Sequence, residues 1–150
     1  MTPASPPSGV TAHAFRLTPG TDLRQGLLGF AARHQLKAAA VVTCVGSLTE
    51  VCLRYANRPD GVTRRGPFEI VSLVGTFSGG GGHFHVAVAD ELGAMSGGHL
   101  LDGCVVFTTA EVVVVELSDV VFDRQVDNTF GYRELVVTAP PQATLVSPTR

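Results

Sequence analysis

The stretch HFHVAVADELGAMSGGHLL, residues 83–101, decides how this chain folds. From His83 to Ala89 it alternates, and from Ala94 to Leu101 it can return as a second strand. Between them Glu91-Leu92-Gly93 fits a three-residue hairpin loop, with Gly93 at the left-handed position such loops require. The loop sets the register: Ala94 falls opposite Asp90, Ser96 opposite Val88, Gly98 opposite Val86, and His99 opposite His85. Alternate residues of a strand share a face, so His83 and His85 point to one side and Phe84 to the other. Directly opposed residues have Cβ atoms about 5 Å apart and diagonal ones are within reach of long side chains. His83, His85 and His99 therefore meet on one face.

Three neutral imidazoles turned toward one point present nitrogen lone pairs suited to zinc, at about 2.0–2.1 Å. Three protein ligands leave a fourth position for water or substrate, the pattern of catalytic zinc. The neighbouring glycines, Gly79 to Gly82 with Gly97 and Gly98, are expected to leave open space over the cluster. His13 and His34 lie elsewhere, on a strand start and a helix, and read as ordinary surface residues.

Outward from the hairpin, the chain is almost all strand. Ser78 to Gly82 reads as a flexible glycine-rich loop; it lacks the Lys-Ser/Thr of a phosphate-binding loop. Before it, Phe68–Phe77, Thr49–Ala56 and the short apolar run Ala38–Cys44 are strand-like, with a bend at Gly46-Ser47 and a turn over Asn57–Gly61. After it come Val105–Thr109, Val112–Leu117 and a last strand, Tyr132–Thr138. Near the start, Ala12–Leu17 alternates as a strand. Thr21 is placed to cap a helix running from Asp22 to Gln35, with Asp22 in its first turn. Leu23, Leu27, Phe30 and Ala31 recur at helical spacing. The fold class is α+β, one helix packed on a large, mostly antiparallel sheet. Residues 11–138 form the domain, with disordered tails over 1–10 and 139–150.

The 150 residues are 45% hydrophobic and 16% charged, enough for a sizeable core with apolar surface left to bury against copies of the chain. Net charge is −2, which argues against direct DNA binding, and no apolar run reaches the roughly 20 residues of a membrane span. The first dozen residues lack the features of a secretion signal. Cys44, Cys52 and Cys104 read as reduced core residues of an intracellular, cytoplasmic protein, with the nucleus as the alternative. Other candidates for chemistry are Glu50 and Arg54, at i and i+4 of one strand: Arg54 to hold a carboxylate, Glu50 to move a proton. Glu111 could hydrogen-bond a ligand histidine from behind. Tyr132 and Arg133 are pocket candidates by position.

The runs GSLTEVCLR (Gly46–Arg54), GPFEIVSLVGT (Gly66–Thr76) and, within Gly81–Val115, GGHFHVAVAD with GGHLLDGCVVFTTAEVVV resemble the plant and prokaryote conserved (PPC) domain. The resemblance covers roughly Thr11 to Thr138. It implies an α+β domain that assembles as a homotrimer. In the prokaryotic-type members the matching histidines look like zinc ligands, which here means His83, His85 and His99. The plant members add an AT-hook; Arg64-Arg65-Gly66-Pro67 has the wrong order for its Arg-Gly-Arg-Pro core. Two functions are carried forward. One is a zinc-dependent hydrolase or lyase acting on a small carbonyl or ester compound. The alternative is a non-enzymatic DNA-associated or protein-interaction module.

Overall fold

The hairpin forms in the register its loop dictates. The computed structural model describes residues 5 and 7–141, so half of the expected N-terminal tail and most of the C-terminal one lie outside the described residues. The elements are β1 (Val10–Leu17), α1 (Leu23–Arg33), β2 (Ala39–Arg54), β3 (Val62–Ser78), β4 (Gly81–Asp90), β5 (Met95–Leu100), β6 (Val105–Leu117), β7 (Val121–Val126) and β8 (Arg133–Thr138). In the β4–β5 pair, His85 opposes His99, Val86 opposes Gly98 and Val88 opposes Ser96. Gly93 closes the loop with a φ of 78°.

Six strands make one antiparallel sheet in the order β1-β6-β2-β3-β4-β5, and the far end of β2 also pairs with β5. That extra pairing, Leu53 with Leu100 and Arg54 with His99, curls β2 to β5 into a closed ring. A 16-residue strand can curl this far only if its ladder is broken, because an extra residue bends a strand and raises its twist. β2 has such breaks against β6 at Val41/Thr43, Gly46/Leu48 and Leu48/Glu50. At the second, Gly46 has a φ of 150° and its Cα runs against β6: an added Cβ would stand 2.1 Å from the carbonyl oxygen of Thr109. Thr108, opposite this bend, sits at φ 56°.

The inner face holds the core. Phe84, Val86 and Val88 of β4 join Leu48, Val51 and Leu53 of β2, Phe77 of β3, and Val106, Val112 and Val114 of β6. Leu23, Leu27, Phe30 and Ala31 of α1 close it. Cys44 and Cys104 lie in this core and burial pushes their thiols up, to about 11 and about 12. All three cysteines are free thiols.

Several expectations need correction. Asp22, not Thr21, caps the helix: its carboxylate accepts from the Gln25 amide at 2.8 Å and from the Gly103 amide at 2.6 Å, tying the helix start to the segment after β5. Ser78–Gly82 is the hairpin turn expected there, but a tighter one, with only Gly79 and Gly80 unpaired, since Ser78 pairs with Gly81 and Phe77 with Gly82. The two β-branched runs after residue 104 are one strand, β6. Pairing begins at Val10, and the Gly9 amide is held by the Asp119 carboxylate at 2.7 Å. β7 was not expected; it pairs with β8 as a separate two-stranded sheet.

Candidate metal centre

The outward residues of β4 and β5 build the cluster. His83 Nε2 lies 3.1 Å from His85 Nε2 and 3.0 Å from His99 Nδ1, and His85 Nε2 lies 3.2 Å from His99 Nδ1. Three ligands at about 2.05 Å in a tetrahedral zinc site stand about 3.4 Å apart. The triangle of nitrogens therefore closes on the dimensions of one small cation. Among the described residues these are the His, Cys, Asp or Glu groups that converge in a set of three. A neutral imidazole has a single N–H, so three ring nitrogens facing each other leave lone pairs that a cation satisfies better than a ring proton does. Both the nitrogens and their count fit a zinc-type ion.

The surroundings favour the neutral form of His83 and His99. The His83 pKa is held below its ordinary value mainly by burial, then by the Arg124 guanidinium, His85 and Arg54, with Glu134 opposing. The His99 pKa is lowered by burial first and then by Arg54 and the two other histidines. Neutral rings are the metal-binding form.

Arg54 joins the cluster for a topological reason. The β2–β5 pairing sets it opposite His99, and its guanidinium donates to the Arg58 carbonyl at 3.4 Å. The glycines here do not all open space. An added Cβ at Gly98 would fall 2.7 Å from the Arg54 carbonyl oxygen, so this glycine lets β5 lie against β2. Glu50 shares the face of Arg54 but is not brought to the histidines. Four residues of strand separate the two by about 13 Å, and Glu50 pairs with Arg65 at 3.0 Å. Glu111 is exposed on β6, opposite Arg16 and Val45, with two strands between it and β4. His13 and His34 stand apart, the first edge-on to Phe30 and the second stacked on it.

A cleft of about 790 Å³ opens above His83 and His99. One wall is the turn after β2, with Asn57, Arg58 and Pro59; the other is the β7–β8 hairpin, with Arg124, Tyr132, Arg133 and Glu134. Tyr132 and Arg133 thus take the pocket positions expected of them, while Arg58, Arg124 and Glu134 were missed. Arg124 belongs to the strand that went unread. VFDRQV carries no apolar alternation to mark it: Val121, Asp123 and Gln125 share one face and Phe122, Arg124 and Val126 the other. Arg64-Arg65-Gly66-Pro67 lies within β3, with Arg64 and Arg65 paired to Val51 and Glu50 of β2. No helix of the described residues is long and apolar enough to cross a membrane.

Comparison with known proteins agrees with this architecture. The chain is 39% identical over 145 residues, 97% of its length, to the bifunctional protein GlmU of a Synechococcus strain, but spans only 23% of that protein. A solved structure of a Salmonella enterica protein shares 42% identity and a TM-score of 0.86, covering 88% of this chain and 96% of that one. The crystal structure of a metal-containing protein from Archaeoglobus fulgidus is 25% identical with a TM-score of 0.73, covering 91% and 99%. Residues 4–118 match the Plants and Prokaryotes Conserved (PCC) domain, and with that match and this sheet the chain belongs to that family, on its prokaryotic side.

Proposed function

We propose that the protein is a zinc-binding homotrimer whose metal, held by His83, His85 and His99, serves a hydrolase or lyase reaction on a small carbonyl or ester compound. The observation that carries this reading is the triangle of three ring nitrogens 3.0–3.2 Å apart beside an open cleft. Three neutral nitrogen donors favour zinc over the oxygen-seeking calcium and magnesium. Zinc bound there would polarise a substrate oxygen or lower the pKa of a bound water. The chain's own part is to hold and orient. Arg54 is placed to position an anionic group, and Glu134 is the carboxylate bordering the cleft that can exchange a proton. Glu50, engaged by Arg65, is a weaker choice for that role. The similarity to a metal-containing protein supports the reading.

Self-association is supported by the outer sheet face. Val42 and Val45 of β2, Val71 and Val74 of β3, and Phe107 of β6 each leave half or more of their surface exposed. Val74 is paired directly with His85, so an interface on this face would border the metal centre. Free thiols throughout fit a reducing compartment, and we read the protein as cytoplasmic.

The test is metal analysis of untagged protein purified without chelators, alongside native mass spectrometry. About one zinc per chain in a trimer is expected, with zinc lost in His85→Ala and the trimer retained. Protein that carries no metal and takes up none on dialysis against zinc would end the metal reading. A monomer would end the assembly reading.

A further inference from the structure

We infer that the cleft beside the histidines is a binding site for a small oxyanion, a carboxylate or a phosphate, gripped by Arg54, Arg58, Arg124 and Arg133. This deepens the metal-centre reading, extending the role given there to Arg54, and it stands on residues other than the three metal ligands.

The first argument is charge. Four guanidiniums line the cleft against one carboxylate, Glu134, in a chain whose net charge is −2. Elsewhere two of the five other described arginines are ion-paired, Arg24 with Asp102 at 2.7 Å and Arg65 with Glu50 at 3.0 Å. Among the described residues none of the four cleft arginines has a carboxylate partner within salt-bridge distance. Gathering like charges around one hollow costs energy that Glu134 offsets only in part.

The second argument is how they are held. Arg124 donates to the Arg133 carbonyl at 3.3 Å and to the Thr76 hydroxyl at 3.3 Å. Arg133 answers by donating to the Arg124 carbonyl at 2.6 and 3.1 Å. Arg54 donates to the Arg58 carbonyl at 3.4 Å. These bonds orient the guanidiniums of Arg54, Arg124 and Arg133 and satisfy only some of the five N–H donors each carries, without neutralising its charge. Oriented, unneutralised guanidiniums are what recognise planar carboxylates and phosphates.

The third is shape. About 790 Å³ falls within the 300–1,000 Å³ of small-molecule sites. The exposed ring of Tyr132 forms part of a wall for an organic remainder. A nucleic-acid backbone asks instead for an extended basic surface on a basic domain. His83 and His99 line the same cleft, so an anion gripped here lies beside the position a metal would leave open.

The experiment is calorimetric titration of the full chain, zinc-loaded and metal-free, with malonate, inorganic phosphate, the neutral analogue malonamide and an AT-rich DNA duplex. Zinc content is measured in parallel on every sample. Malonate or phosphate is expected to bind and malonamide not. Arg58→Gln, in an exposed turn, and Arg54→Gln should each weaken anion binding about tenfold or more with zinc stoichiometry unchanged. Tighter malonate assigns a carboxylate and tighter phosphate a phosphate compound. The inference is overturned if neither anion binds, if both variants bind like the parent, or if only the duplex binds. Arginine-dependent anion binding in protein that never holds zinc would sink the metal reading and leave this one standing. Full zinc without anion binding would do the reverse.

Discussion

Two hairpins enclose the same cleft and are built on opposite principles. In β4–β5 every second residue of β4 is core: Phe84 and Val86 are 2% exposed and Val88 is 0%. The histidines ride on the other face of a strand that cannot move without opening the core. In β7–β8 no residue is buried, and the hairpin hangs on a few polar ties, such as the Phe122 amide to the Lys37 carbonyl at 2.9 Å and Arg124 to Thr76. Metal ligands must hold one geometry to within tenths of an ångström, so they gain from a rigid base. Groups that grip a ligand must admit and release it, and a lightly anchored hairpin suits that.

The largest test of this contrast is Phe84→Ala. Losing a fully buried phenylalanine should cost about 3–5 kcal/mol in urea unfolding. It should loosen metal binding as well, because Phe84 is the inward neighbour of both His83 and His85. Next comes the metal. With metal at a hundred times its dissociation constant, stability rises by about 2.7 kcal/mol, roughly 5–10 °C for a domain of this size. A chelator should remove that gain in the parent and change nothing in His85→Ala. Smaller again is Phe122→Ala on β7, which is half-buried; about 1–2 kcal/mol is expected. If Phe122→Ala costs as much as Phe84→Ala, or abolishes metal binding, the second hairpin belongs to the core and the contrast fails.

The same contrast explains what could be read in advance. His85 opposite His99 followed from one loop of three residues, because a hairpin's register is a local property. The core face of β4 followed from alternation. What stayed hidden depends on long-range geometry. Arg54 meets His99 only because β2 bends at its irregular steps and closes onto β5, and no local pattern in GSLTEVCLR announces that ring. Glu50 and Arg54 do share a face, yet the partner of Glu50 comes from β3, which sequence spacing cannot see. β7 escaped notice because a surface hairpin has no buried face to impose an apolar alternation, and with it went Arg124. Asp22 replaced Thr21 as the cap through the added bond from Gly103, 81 residues away.

The smallest predicted effect is on pH, and it separates the two regions most cleanly. In metal-free protein, His83 and His99 have pKa values below the ordinary 6.5, first through burial and then through the arginines of the wall. The unfolded chain titrates them near 6.5. As pH falls from 7.5 the unfolded state therefore takes up protons before the folded state does. Their contribution is fully present above about 6.5 and is lost as pH drops through the lowered folded values. Urea midpoints in the presence of a chelator should decline between pH 7.5 and 5.5. His83→Gln with His99→Gln should flatten that decline, and Arg124→Gln should reduce it, because the wall's charge then no longer opposes protonation of His83. The carboxylates with depressed values, Asp102 among them, titrate well below this window and leave it clear. An equal decline in the double variant would show that the cluster is not where the acid sensitivity lies. An unchanged slope in Arg124→Gln would show that the second hairpin does not reach the histidines electrostatically.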